Sequence, residues 1–142
     1  MEPLNAQGVA LRAACEKLAG DHRRLPMMLS EAEWRVQQKL FPGAERCFAE
    51  FCFGLERHLA EEDGAVSQTG ESGTPAKPQA ADRETLRRML LAAEQAIYAR
   101  DCDWFASSAG DLYDALAAHA DAHERKLFPM FVQTRPGPAA RV

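Results

Sequence analysis

Residues that stiffen a strand are scarce in this chain: Val, Ile and Thr together supply ten of 142 positions. Alanine supplies 26 and leucine 14. Alanine and leucine lose little side-chain freedom in a helix, whereas β-branched residues lose more, so the balance favours helix. Cysteine is sparse as well. Cys15, Cys47, Cys52 and Cys102 form no CxxC pair and no dense framework, which excludes a small disulfide-stapled scaffold. Cys15 and Cys52 fall on apolar stripes and read as small buried hydrophobes. There is no basic tract, and 17 Lys+Arg against 21 Asp+Glu give a net charge of −4, which argues against a nucleic-acid partner. No apolar run approaches the roughly 20 residues that span a bilayer, so no membrane partner is expected. The opening Met1-Glu-Pro-Leu-Asn5 lacks the positive-then-apolar order of a signal peptide, and a soluble, cytoplasmic protein is expected.

What is present is helical periodicity. The length suits one domain with a real core, here residues 1–134. A first helix is predicted from about Leu4 to Leu25, with Leu11, Ala14/Cys15, Leu18, Leu25 and Leu29 on its stripe. Pro26 is expected to break or kink it. Ser30-Glu-Ala-Glu33 reads as a capping box opening a short helix that ends at Phe41-Pro42-Gly43. A second long helix covers about Ala44 to Asp63, with Phe48, Phe51/Cys52, Leu55 and Leu59 inward. Gly64 to Ala81 holds three glycines, two prolines and no aromatic residue, and is expected to be a flexible loop inside the domain. A third helix runs from near Ala81 to near Arg100, with Leu86, Leu90, Ala93 and Ile97 inward. Asp103 is the expected N-cap of a fourth, from Trp104 to about Phe131, with Phe105, Ala109, Leu112, Leu116, Leu127 and Met130 inward. Residues 135–142 are expected to be a disordered tail. Stripes alternating in steps of three and four, with mostly short connections, predict an all-α, antiparallel up-down four-helix bundle.

The four histidines fall on these stripes. The first helix reads 11, 15, 18, 22, 25, 29 and puts His22 inward. The second puts His58 and Glu62 inward, and the fourth puts His119 and His123 at core positions. His58/Glu62 and His119/His123 are i,i+4 pairs, each one turn apart on one face, where both members reach one ion or two adjacent ions. A lone core histidine is usually a packing residue. Four of them with a buried carboxylate are another matter, because burying Glu62 without a partner costs several kcal/mol or forces its pKa up. A shared cation offsets that cost. Imidazole suits iron, zinc, copper and nickel, while carboxylate shifts preference toward iron and manganese. Four His with one or two carboxylates exceed one tetrahedral zinc and suit two irons or one six-coordinate ion. His119-Ala-Asp-Ala-His123 is not His-Glu-x-x-His, so the zinc-protease motif is absent.

His119-Ala-Asp-Ala-His123-Glu-Arg-Lys-Leu-Phe-Pro129 resembles the last-helix motif H-x-x-x-E/H-E-x-x-L-F-P of the hemerythrin-like (HHE cation-binding) family. His58-Leu-Ala-Glu-Glu62 resembles its H-x-x-x-E, and Asp21-His22-Arg its first-helix D-H-R. The resemblance covers nearly the whole chain. It implies a four-helix bundle with a non-haem di-iron centre, histidines as terminal ligands and carboxylates as bridges. It further implies a small diatomic ligand, O2 or NO, that is bound or sensed. A non-haem iron oxidoreductase or stress-repair protein acting on peroxide or NO is the enzyme alternative. A degenerate bundle with one metal or none, serving interaction, is the third, and self-association into a homo-oligomer is left open.

Two departures from the family pattern stand out. The third helix lacks the family's histidine. Asp82 to Thr85 lie level with His119, so either Asp82 substitutes as a carboxylate ligand or Arg83 fills the site with positive charge and disfavours a second iron. At the position of a bridging Glu stands His123. Glu124 either supplies a second bridge or is a surface residue, since five residues turn a helix by about 500° and separate it from His119 by roughly 140°.

Overall fold

The structure, a computed structural model, describes residues 6–68 and 77–133. They form four helices and no strand: α1 (Ala6–Gln37), α2 (Phe41–Gln68), α3 (Lys77–Tyr98) and α4 (Cys102–Gln133). The packing is that of a helical bundle. α1 lies against α2 and α4, α3 lies against α4, and a thinner seam joins α2 to α3.

The boundaries differ from the sequence expectation in several places, and Phe41-Pro42-Gly43 opens α2 rather than ending a short helix before it. α1 passes through Pro26 without a break, and Ser30 is an exposed residue inside it rather than the cap of a new helix. Pro26 removes one ladder hydrogen bond, but Leu25, Leu29, Ala32 and Val36 are all buried on one stripe, and that burial carries the helix across. α2 runs on to Gln68 and α3 begins at Lys77, so both ends of the expected 64–81 loop are helical, while 69–76 lie outside the described residues. So does the expected tail at 135–142, and the side chains of Leu11, Leu127 and Met130 are likewise outside them. At the start of α4 the cap is Asp101, not Asp103. The Trp104 N–H donates to Asp101 Oδ1 at 2.9 Å, which satisfies one of the orphan amides of the first turn.

Both tight turns end their helices in the same way. Leu40 N–H reaches Arg35 O and Lys39 N–H reaches Val36 O, with Lys39 at φ 61°. Asp101 N–H reaches Ala96 O and Arg100 N–H reaches Ile97 O, with Arg100 at φ 56°. This is the Schellman arrangement, and each left-handed position is filled by a long basic residue rather than glycine.

The core occupies the half of the bundle nearest these turns. Phe48, Phe51 and Phe105 form an aromatic layer, with Phe48 5.8 Å from each of the other two rings. Phe51 and Phe105 are fully buried, each worth about 1.5–3 kcal/mol of transfer free energy. Leu29, Leu55, Leu86, Ala93, Ile97, Leu112 and Leu116 continue the core along the axis. Gly54 allows α1 and α2 to approach closely, since a Cβ there would stand 3.3 Å from Leu25 Cδ2. Beyond Leu25, Leu55 and Leu116 the inner stripes change character together, one turn further on, to His22, His58 and His119.

Candidate metal centre

The first requirement for the site is that three helices keep register over several turns. Leu25 and His22, Leu55 and His58, and Leu116 and His119 are each three residues apart, so the apolar packing below fixes the level of all three imidazoles. Ligand atoms of His22, His58, Glu62 and His119 lie within 4.8 Å of one another. An ion with bonds of ~2.1 Å separates ligands on its opposite sides by about 4.2 Å, so the spread is close to that of one coordination sphere.

At its middle is Glu62, 1% exposed. Its Oε2 lies 2.7 Å from His58 Nε2, 2.9 Å from His119 Nε2, 3.1 Å from His123 Nδ1 and 3.8 Å from His22 Nε2. One carboxylate oxygen cannot serve as acceptor for four ring nitrogens. His119 meets the carboxylate in hydrogen-bond geometry, at 3.0 and 2.9 Å from its two oxygens. His58 Nε2 and His123 Nδ1 are buried and close, yet neither makes a hydrogen bond. Such nitrogens converge on a place rather than on a partner.

The outer nitrogens are held by other carboxylates. His58 Nδ1 stands 3.0 Å from Asp21 Oδ2, and Asp21, itself 3% exposed, is also paired with Arg24. With the Nδ1 proton given to Asp21, the Nε2 of neutral His58 presents a lone pair inward. His22 Nδ1 lies 3.4 Å from Glu124 Oε1 in a similar outward contact. Carboxylates behind metal-binding histidines fix tautomer and ring orientation in this manner.

Electrostatics follow the geometry. Burial pushes the Glu62 carboxyl up, but the hydrogen-bonded His119 and the close imidazoles of His22 and His58 outweigh it and hold Glu62 well below the usual carboxylate range. For His58, burial acts to lower the imidazole's pKa, and the adjoining Glu62 and Asp21 reverse that to a net rise. Burial is the main cause that brings His123 down to about 4, helped by the other three imidazoles against the pull of Glu62. The cysteines take no part. Burial pushes Cys15 up to about 11 and Cys52 up to about 12, far from reactive thiolates.

Beside the imidazoles of His22, His58 and His119 is a small cavity of about 10 Å³, room for the centre of one water-sized molecule, also lined by Leu25, Pro26, Leu55 and Leu116. Comparisons with models of known families, with curated proteins and with solved structures give no match for this chain. The site is therefore read from its own residues.

Of the residues expected from sequence, His22, His58, Glu62 and His119 come together as one group, and His123 stands against Glu62 just outside that set. Glu124 is on the surface, its side chain 49% exposed, touching the outer nitrogen of His22 rather than the centre. The side chain of Asp82 is outside the described residues. Arg83 is bound to Asp63 at 2.5 Å through both terminal nitrogens, and its Nη2 also reaches Leu59 O at 3.4 Å. Asp21, singled out from sequence only as part of the D-H-R triplet and given no role there, is the residue whose part the structure adds. It was legible as a buried position, three residues from Leu18 and four from Leu25, but its partner lies on another helix.

Proposed function

We propose that this chain is a hemerythrin-like metal protein, an up-down antiparallel bundle whose His22, His58, Glu62, His119 and His123 hold iron for binding or sensing a diatomic such as O2 or NO. The observation that carries the reading is the convergence of four ring nitrogens on one buried carboxylate oxygen that cannot accept from all of them. A cation among them satisfies the lone pairs and the carboxylate at once. Iron with an unfilled coordination position supplies a place where a diatomic attaches. The protein's own part is to hold the neutral imidazoles in orientation, through Asp21 and Glu124, and to keep bulk water out with Leu25, Leu55 and Leu116. The cavity against three of the imidazoles has room for about one water-sized molecule and excludes a larger substrate.

Zinc is the second reading. Three histidines and one carboxylate within 4.8 Å also make a tetrahedral donor set. The two separate cleanly. Untagged protein reconstituted anaerobically with Fe(II) is expected to retain iron through desalting and to gain an absorption band that changes when O2 or NO is admitted. Protein that retains zinc and not iron supports the second reading. Protein that retains neither metal overturns both.

A further inference from the structure

Among the described residues, α3 brings no ligand to the level of the centre. Its inner stripe runs Ile97, Ala93, Leu90, Leu86 in alternating steps of four and three, and the next position in that series is Arg83. Leu86 is buried, so this stripe is the face α3 turns to the bundle. Glu84, the residue after Arg83, is exposed beside Arg88. Where a fourth helix would complete a two-ion site, this chain has a guanidinium, mostly buried with 18% of its side chain exposed.

Its attachments keep it there. Arg83 grips Asp63, the neighbour of Glu62, through two nitrogens, and reaches the carbonyl of Leu59, the neighbour of His58. Asp63 above all, and more weakly Glu62, hold the guanidinium in its charged form.

Charge counting points the same way. The buried carboxylates among the described residues are Glu62 and Asp21, a total of two negative charges, with Arg24 pairing Asp21 from a half-exposed position. With Arg24 paired to Asp21, one divalent ion already more than covers the negative charge left on Glu62. A second would add two positive charges next to Arg83 with no further buried carboxylate among the described residues, and uncompensated buried charge is strongly disfavoured.

We propose that the centre holds a single divalent ion and that Arg83, fixed by Asp63, stands where a second ion would lie. The inference rests on the metal reading above, and it assigns stoichiometry and a residue that sets it. Arg83 is a positioning and charge-setting residue rather than a ligand.

The test is metal stoichiometry. Untagged protein is titrated anaerobically with Fe(II), and separately with Co(II) as a spectroscopic probe, in excess Mg(II) to occupy surface carboxylates. Wild-type protein is expected to saturate at one ion per chain. Arg83→His and Arg83→Glu each remove the cation and place a donor on α3, and at least one is expected to saturate at two. Far-UV circular dichroism verifies that both variants keep the helical fold, and Asp111→Ala serves as a folded control expected to stay at one. Two ions per chain in wild-type protein overturn the inference while leaving the metal reading intact. One ion in both folded variants overturns the part given to Arg83. No ion in wild-type protein overturns the metal reading itself.

Discussion

Asp21 touches nothing at the middle of the centre, yet it decides what His58 can do there. An imidazole has two nitrogens, and the proton on one leaves the lone pair on the other. Asp21 Oδ2, 3.0 Å from Nδ1, keeps that proton on the outer side. Asp21→Asn preserves the shape and removes the charge, and the amide can turn a donor rather than an acceptor toward Nδ1. Removing such a supporting carboxylate costs about 10–100-fold in metal affinity. The expected outcome is a loss of that size in the Co(II) dissociation constant of D21N, with the stoichiometry unchanged. Asp121→Asn, an exposed pair with Arg125, is expected to leave the constant where it was. Equal constants for D21N and wild type would show that His58 is oriented without Asp21. The five residues His22, His58, Glu62, His119 and His123 could be singled out from spacing alone, since each falls on an apolar stripe where a polar group needs a reason. The role of Asp21 could not be read in this way, because the acceptor and the ring it serves are 37 residues apart and meet only when α1 packs on α2.

At the level of the helices, periodicity proved the strongest guide and end signals the weakest. Leu18, Leu25 and Leu29, Phe48, Phe51 and Leu55, Leu86, Ala93 and Ile97, and Phe105, Ala109, Leu112 and Leu116 are all buried as their spacing requires. Pro26 misled because a local cost was set against no tertiary gain, and the stripe from Leu25 to Val36 supplies that gain. The turn before α4 misled for a smaller reason: it holds two aspartates, two residues apart, and only the fold tells which one precedes the first helical turn. That choice is open to measurement. Asp101→Ala removes the acceptor of the Trp104 amide and is expected to cost about 1 kcal/mol. Asp103→Ala loses a charge in the first turn near the positive helix end, worth about 0.3–1 kcal/mol, and the lower part of that range fits an exposed residue. Urea denaturation of both variants checks the order, and a larger loss in D103A would move the cap.

The described helices are divided along the bundle axis: an apolar half that is packed, and a half where ionisable groups crowd around one buried carboxylate. In the second half a proton and a metal ion compete for the same position. Glu62 and Asp21 raise the pKa of His58 against the opposing effect of burial, so in the metal-free chain His58 keeps a proton above its ordinary range. A folded-state pKa raised above the unfolded value contributes stability that is complete below about 6.5 and fades as pH rises through the folded value. The metal-free protein is thus expected to lose the contribution of His58 on going alkaline. The ion needs that nitrogen deprotonated, so its affinity moves the other way, by about tenfold per pH unit for each proton it displaces. Stabilisation by a bound ion grows as RT ln(1 + [L]/Kd), so the rise in Tm on adding a fixed excess of Co(II) is expected to be small at pH 6 and larger at pH 8. Calorimetric scans with Co(II) and with chelator at both pH values give the comparison directly. A shift in Tm that stays constant between them would mean that the ion sits on surface carboxylates, which are ionised throughout that range, and not among the imidazoles.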